Sequence, residues 1–162
     1  MQLSTIFIYL CFLFTAHSTR LLPNQHHFSS RIDPPSNWRE QMLLQVNDVR
    51  RKAGILPVSL SEQANIMAQK HSEYQASTNQ MTHDDPSGSL GQRATAEGLL
   101  WSSLAENIAV GNLNVSTAMG LWINSPHHYA NIVGNYSLVG FGVAGTGDIS
   151  YWTQEFIHFL VV

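Results

Sequence analysis

Apolar residues recur at three- and four-residue spacing in two segments of the first half of the chain, which is typical of amphipathic helices. The first segment begins at Asn37, a residue type that caps helix N-termini, and stops at Gly54. The second follows Ser61, another capping residue type, and ends near Asn79. We therefore predict two helices, with His71 on the apolar face of the second as a packed, hydrogen-bonded core residue.

Shorter helices are predicted farther along the chain. One covers residues 89–100, and another begins at Ser116 and stops before Pro126, because proline disfavours helical backbone at the residue before it. A short helical turn follows over residues 127–132. Residues 100–112 mix apolar and polar side chains without a clear period, and we predict a loop there.

The last part of the chain changes to the two-residue alternation of β-strands. Residues 137–145 and 149–162 are rich in β-branched and aromatic side chains, and the turn sequence "GTGD" separates them. Helices followed by an antiparallel hairpin predict an α+β domain in which the helices cover a sheet.

The N-terminus predicts export from the cell. Residues 6–14 form an apolar run, and the small residues Ala16 and Ser18 are spaced as in a signal-peptide cleavage site. The run is shorter than the roughly 20 residues that cross a bilayer, and no later segment is long and apolar enough to do so. The predicted organisation is a signal peptide, a flexible leader or pro-segment, and one domain: residues 1–18, 19–36 and 37–162.

Composition and charge narrow the function classes. The 162 residues are 44% hydrophobic and 12% charged, which suits one domain with one core. The net charge is −3 and the eight Lys and Arg residues are scattered, so we expect no nucleic-acid partner. We also expect a monomer. The single cysteine, Cys11, lies in the signal peptide, which excludes disulfides, cysteine nucleophiles and Cys-ligated zinc from the mature protein.

Four segments stand out for their polar residues: "MTHDDPSG" at 81–88, "LAENIAVG" at 104–111, "WINSPHHYANIVGNYSLVGFGVA" at 122–144 and "YWTQEF" at 151–156. In order and spacing they resemble the CAP superfamily (the sperm-coating-protein-like or pathogenesis-related secreted domain), and most of all its cysteine-free branch common in bacteria. The resemblance covers about residues 38 to 159. It implies a three-layer α-β-α sandwich with an antiparallel sheet, a secreted protein with host-facing or defence-related roles, and small apolar ligands such as sterols or fatty acids.

The resemblance also places a cleft. His83 matches the first cleft histidine of the family, and Glu106 matches its first glutamate. The disulfide-bearing branch has a second glutamate and a second histidine, and this chain has Ser125 and Tyr151 at those positions. Half of that branch's tetrad is therefore absent.

The cysteine-free branch adds two matches, His128 and the Gln154 that lies between aromatic positions. Three interpretations of these residues stay open. The imidazoles of His83 and His128, with a carboxylate and one open position, suit a divalent cation such as Zn²⁺ or Mg²⁺. A His–Glu pair that holds a water suits acid–base catalysis. A satisfied polar network would only fix the loops.

Three functions correspond to these interpretations. The first is a secreted binding protein whose polar cleft takes a lipid, a sterol or a divalent cation; its cleft residues are His83, Glu106, His128 and Gln154. The second is a metal-dependent hydrolase or peptidase, although no serine has a recognisable Ser-His-Asp context. The third is a cell-wall or host interaction module with a non-catalytic cleft. We expect a binding protein rather than an enzyme.

A few neighbouring positions have smaller predicted roles. Asp84 and Asp85 are predicted turn formers beside a proline, and His127 is expected at the cleft rim. Asn114 and Asn135 begin N-x-S sequons, which predicts glycosylation if the host attaches N-glycans.

Overall fold

The structure, a computed structural model, describes residues 36–146 and 148–159. The predicted signal peptide, its cysteine and the predicted leader up to residue 35 lie outside the described residues. Five helices and four strands follow one another in the described part. In chain order they are α1 (Trp38–Lys52), β1 (Ser59–Leu60), α2 (Glu62–Thr78), α3 (Leu90–Ala96), β2 (Trp101–Gly111), α4 (Val115–Ile123), α5 (Pro126–Ile132), β3 (Leu138–Thr146) and β4 (Ile149–Phe159).

The four strands form one sheet in the order β1-β3-β4-β2. The predicted hairpin is confirmed, because β3 and β4 pair antiparallel with Phe141 opposite Gln154. The long strand β2 pairs antiparallel with the other side of β4. The expected antiparallel sheet is therefore correct for its three long strands, and the two-residue strand β1 adds a parallel pair with β3.

Helices cover both faces of the sheet, which confirms the three-layer α-β-α arrangement. Helices α1, α4 and α5 pack together on one face and enclose the larger core. Helices α2 and α3 cover the opposite face around a smaller cluster that includes Met67 and Ile157. The largest side chains of the larger core are fully or almost fully buried: Trp122, Trp152, Phe141, Phe156 and Met42.

The prediction of a loop over residues 100–112 is wrong, because this stretch is strand β2. Residues 105–109 are all buried, since one face of the strand packs on the larger core and the other faces α2 and α3. A strand that is covered on both faces loses the apolar–polar alternation by which a strand is recognised. Two polar residues in its centre, Glu106 and Asn107, further hide the pattern.

The helix ends agree with the predicted capping residues in most cases. The Ser61 hydroxyl accepts the backbone N–H of Ala64 at the start of α2, and the C-cap of that helix is Asn79 with φ of +53°. Helix α4 begins one residue earlier than predicted, because the side chain of Asn114 caps it. Asn37 precedes α1 as predicted but makes no side-chain capping bond.

Two glycines allow α2 to lie directly against β3. A Cβ added at Gly140 would lie 2.1 Å from the carbonyl carbon of Ala64, and one at Gly142 would lie 2.2 Å from the carbonyl oxygen of Ala68. These distances are far inside van der Waals contact, so only glycine fits at both positions. The glycines of "GFGVA" thus serve helix–sheet packing.

This close approach lets α2 bond the backbone of β3 beyond the end of β1. The side-chain oxygen of Asn65 accepts the N–H of Phe141 at 3.0 Å. The amide of Gln69 accepts the N–H of Val143 at 3.2 Å and donates to its carbonyl at 2.9 Å. Arg39 of α1 donates to the Phe141 carbonyl at 3.0 Å. Side chains therefore pair the sheet edge where another strand would otherwise bind.

A buried arginine fixes the segment that follows α5. Arg50 of α1 is 1% exposed and donates to the Leu56 carbonyl at 2.7 Å. It also donates to the carbonyls of Ile132, Gly134 and Tyr136 at 2.8 to 3.0 Å. Because these carbonyls lie at the end of α5 and just beyond it, Arg50 holds the helix that carries His128.

Candidate functional site

The sheet separates the predicted site residues into two groups. Glu106 on β2 faces α2 and α3, whereas the next residue, Asn107, faces the larger core with α4 and α5. Gln154 lies on the same side as Asn107, from which it accepts a hydrogen bond at 2.8 Å. It also donates to the sulfur of Met119 and is fully buried. Gln154 therefore belongs to a buried polar network rather than to the open side of Glu106.

His83 and Glu106 meet directly. His83 lies in the connection between α2 and α3, and its Nδ1 is 2.7 Å from Oε1 of Glu106. The two ends of this pair differ in exposure: the side chain of His83 is 61% exposed and that of Glu106 is 4% exposed. The pair is thus an exposed imidazole held by a buried carboxylate. The other ring nitrogen of His83, Nε2, is available to a ligand.

Two ionisable residues that the sequence analysis missed complete the buried side of the site. Arg93 on α3 donates from Nη2 to Oε2 of Glu106 at 2.7 Å. Its Nη1 donates to Oε1 of Glu155, on β4, at 3.1 Å. All three side chains are at most 5% exposed. Glu155 is the one charged residue of the segment "YWTQEF", and this was the available signal for it.

The two buried carboxyl groups differ in charge state. Burial alone would raise the pKa of Glu106, but the hydrogen bonds with His83 and Glu155 and the charge of Arg93 lower it to about 2. Burial raises the pKa of Glu155 well above its usual range, and the neighbouring Glu106 charge raises it further. Glu155 is therefore a neutral carboxylic acid beside the ionised carboxylate of Glu106.

A second His–carboxylate pair lies beside this group. His71 is fully buried, as predicted, and its Nδ1 is 2.7 Å from Oδ2 of Asp85. Burial opposes ionisation of Asp85, but hydrogen bonds from Ser87 and His71 lower the pKa of its carboxyl group. The Ser87 bonds confirm the predicted turn at Asp85, since its side chain accepts both the backbone N–H and the hydroxyl of Ser87.

Hydrogen bonds link the surroundings of Glu106 to α5 across the edge strand β2. The N–H₂ group of Asn107 donates to the backbone carbonyl of His128 at 3.1 Å. Asn131 of α5 donates to the side-chain oxygen of Asn107 at 2.8 Å and to the Glu106 carbonyl at 3.4 Å. These asparagines of "ENI" and "ANI" fix α5 beside Glu106, and the sequence analysis did not single them out.

The two cleft histidines have opposite pKa shifts. The hydrogen bond with Glu106 raises the pKa of His83, against the opposing effect of burial. Burial lowers the pKa of His128, and the positive charges of His83 and His127 lower it further. As pH falls, His83 therefore takes a proton before His128 does. His127 is exposed, in agreement with its predicted place at the rim.

The donor set fits a metal ion poorly. Within the described residues, no group of three or more His, Cys, Asp or Glu side chains is arranged to hold a metal. The one cleft carboxylate, Glu106, already bonds His83 and the guanidinium of Arg93, whose positive charge repels a cation at that carboxylate. What is left for Zn²⁺ or Mg²⁺ is a pair of imidazoles, His83 and His128, and this site stays a prediction.

An open groove lies beside helix α3. It has a volume of about 540 Å³ and is bordered by α3 and the start of β2. Its lining is Ser89, Gly91, Gln92, Thr95, Ala96 and Trp101. Trp101 is half-buried, whereas the other three tryptophans are at most 6% exposed.

Both predicted sequons, at Asn114 and Asn135, are exposed. No helix among residues 36–146 and 148–159 is long and apolar enough to cross a membrane.

Comparison with known proteins adds family information. A family model described as CAP, the cysteine-rich secretory protein family, matches residues 43–156. The chain is 29% identical over 124 residues to the uncharacterised protein YkwD of Bacillus subtilis (strain 168). This match covers 75% of the chain and 48% of YkwD, so the chain spans about half the length of that relative.

Solved structures are similar as well. An extracellular protein containing an SCP domain from Bacillus anthracis str. Ames is 28% identical, with a TM-score of 0.65 over 74% of this chain and 40% of that one. An outer surface protein from Borrelia burgdorferi has a TM-score of 0.72 over 80% of this chain and 98% of its own, at 17% identity. At that identity the second likeness shows the fold alone.

Proposed function

This chain belongs to the CAP family of cysteine-rich secretory proteins, and from that premise we propose that it is a non-enzymatic binding module of the extracellular space. Its cleft, formed by His83, Glu106 and His128, takes a small ligand that carries a carboxylate or phosphate group. Fatty acids belong to this ligand class. Secretion is supported by the N-terminal signal pattern and by the extracellular SCP-domain relative.

One observation supports this proposal above the others: the cleft carboxylate is already paired. Glu106 bonds His83 through one oxygen and Arg93 through the other. Both oxygens of this carboxylate already accept a hydrogen bond, and its pKa, lowered to about 2, makes it a weak general base. The group that faces solvent is the imidazole of His83, and its raised pKa favours the charged, donating form.

The neighbouring groups fit a ligand with an anionic group. When His83 is protonated, its Nε2–H can donate a charge-assisted hydrogen bond, which contributes about 1.5–3 kcal/mol. His128 lies within electrostatic range of His83 and offers a second ring. Asp84 follows His83 in the sequence and is exposed, and its negative charge raises the pKa of His83 further. The interaction is therefore expected to strengthen as His83 gains its proton.

The experiment is a calorimetric titration of the purified domain with dodecanoate and with inorganic phosphate, at about pH 6 and about pH 8. Three proteins are compared: wild type, His83→Gln and the control His127→Gln, which changes an exposed histidine that does not bond Glu106. We expect tighter binding at the lower pH, a loss of about tenfold or more in His83→Gln, and wild-type binding in the control. Equal binding by wild type and His83→Gln, or no binding of either probe by wild type, would overturn the proposal.

Wild type, His83→Gln and one further variant, Glu106→Gln, test cation binding and hydrolysis, the two other predicted functions of the cleft. Zn²⁺ and Mg²⁺ titrations examine the pair of imidazoles, and tight Zn²⁺ binding that His83→Gln abolishes would favour the cation site instead. Hydrolysis of a peptide substrate that disappears in Glu106→Gln would contradict a non-enzymatic cleft.

A lipid ligand has support from a second observation, the groove beside α3. Its lining includes the half-buried Trp101, so an acyl chain in the groove would change the fluorescence of this residue more than that of the three buried tryptophans. Dodecanoate should shift the emission of wild type but not of Trp101→Phe. An equal response of both proteins would place the acyl chain elsewhere.

A further inference from the structure

His71 bonds a backbone carbonyl before His83 and a side chain after it. Its Nε2 is 2.9 Å from the carbonyl oxygen of Thr82, and its Nδ1 is 2.7 Å from Oδ2 of Asp85. The residues that it bonds are one position before and two positions after His83. One turn farther along α2, Gln75 accepts the N–H of Thr82 at 3.3 Å. Helix α2 therefore holds the segment that presents His83.

Both ring nitrogens of His71 face oxygen acceptors. The carbonyl oxygen of Thr82, next to Nε2, only accepts hydrogen bonds. The lowered pKa of Asp85 makes its carboxylate, next to Nδ1, an acceptor too. Oε2 of Glu106 lies 3.6 Å from Nε2 and is a third oxygen beside the ring.

His71 belongs to one buried polar group with Asp85, Glu106 and Arg93. Removing one member of such a group leaves buried polar atoms of its neighbours without a partner, which is costly. The arrangement therefore depends on the two hydrogen bonds of His71.

We infer that His71 is a positioning residue of the cleft: its imidazole ring holds Thr82 and Asp85 so that His83 meets Glu106. This inference rests on the proposed function, in which His83 contacts the ligand. The geometry carries it, because the two bonds of His71 flank His83 and because Glu106 bonds His83 on one oxygen and approaches His71 with the other.

The readout is the tautomer of His83. Glu106 bonds Nδ1, so the neutral ring of His83 carries its hydrogen on Nδ1, whereas a free imidazole favours hydrogen on Nε2. The ¹⁵N shifts of the ring distinguish the two forms, and the loss of signals in His83→Gln assigns them. A merely structural role of His71 would lower stability without changing this tautomer in the folded protein.

The variants are His71→Phe, which keeps the ring volume without donors, and Asp85→Asn, which leaves the Thr82 bond in place. Ser72→Ala is the matched control: Ser72 lies on the same helix as His71, but its hydroxyl donates a buried hydrogen bond at 2.8 Å to Thr153 on β4 rather than to the loop. We expect both loop variants to move His83 toward the Nε2–H tautomer and to weaken dodecanoate binding several-fold. Ser72→Ala should lower the melting temperature and keep the wild-type tautomer.

The inference is overturned if folded His71→Phe and Asp85→Asn keep the wild-type tautomer of His83 and lose only stability. If His71→Phe does not fold, the tautomer in Asp85→Asn decides. A tautomer change in the loop variants together with no ligand binding by wild type would support the positioning role and contradict the proposed function. An unchanged His83 tautomer in the loop variants, together with binding that depends on His83, would contradict the positioning role and support the proposed function.

Discussion

The Nδ1 of His83 lies 2.7 Å from Oε1 of Glu106, so an exposed imidazole is joined to a carboxylate that is almost fully buried. The carboxylate stays ionised in this place because Arg93 bonds its other oxygen and a protonated Glu155 lies beside it. The pair therefore directs one charged, hydrogen-bonding group toward solvent and keeps its counter-charge inside the domain.

The first prediction concerns Glu155→Gln. A carboxyl group whose pKa is raised on folding stabilises the protein below its unfolded pKa, and this contribution is lost as the pH rises through the folded pKa. Glutamine resembles the protonated acid and does not titrate. Urea unfolding should therefore give Glu155→Gln a free energy of unfolding that improves relative to wild type as the pH rises above about 4.5.

Glu106→Gln is the matched comparison, and its sign is opposite. The pKa of Glu106 is lowered to about 2, so its contribution is present above the unfolded pKa and is lost as pH falls from 4.5 toward 2. This variant should be less stable than wild type at neutral pH, with the gap narrowing in acid. If Glu155→Gln loses as much stability at neutral pH as Glu106→Gln, the assignment of the proton to Glu155 is wrong.

The second prediction concerns self-association through the sheet edge. In the double variant Asn65→Ala, Gln69→Ala, the N–H of Phe141 and both backbone groups of Val143 lose their side-chain partners. We expect a loss of about 1–3 kcal/mol per unsatisfied group and concentration-dependent dimers or larger species in sedimentation velocity. Gln63→Ala, an exposed amide on the same helix, should stay monomeric like wild type. A double variant that is monomeric at every concentration would show that the amides do not protect the edge.

The third prediction concerns the glycines of β3. Gly140→Ala places a methyl group against the backbone of Ala64 and should lower the free energy of unfolding by about 1–3 kcal/mol or more. Gly120 in α4 is the control, because a Cβ there meets nothing within 4 Å. Gly120→Ala should gain about 0.5–1 kcal/mol, since alanine is the better helix former. Thermal unfolding of the two variants in parallel would contradict this account if they changed in the same direction.

Local patterns in the sequence predicted the helices, the closing hairpin and the α+β class. The cap at Ser61, the helix end at Asn79 and the stop before Pro126 depend on neighbouring residues, so the sequence alone could indicate them. Strand β2 was missed because burial on both faces removes the alternation that marks a strand.

The sequence predicted only part of the site, because the missed contacts join residues that are far apart in the chain. His83 and Glu106 were named from motifs, and the structure brings them together. Arg93 and Glu155 were missed because their partners lie 13 and 62 positions away from Arg93 along the chain, and no local period indicates such a contact. Gln154 shares a motif with Glu155 but points to the opposite face of the sheet, which only strand pairing decides.

The most direct test of the central claim, that buried Glu106 holds His83 as a charged ligand-binding group, is an NMR titration of the His83 ring in wild type and Glu106→Gln. The charged groups that shift the pKa of this ring are Glu106 on β2, Arg93 on α3 and Asp84 beside it, and His128 on α5 is in turn affected by His83. We predict a pKa of His83 above the ordinary 6.5 in wild type, and a fall to that value or below it in the variant, where Arg93 and burial still act. The same His83 pKa in both proteins would contradict the claim.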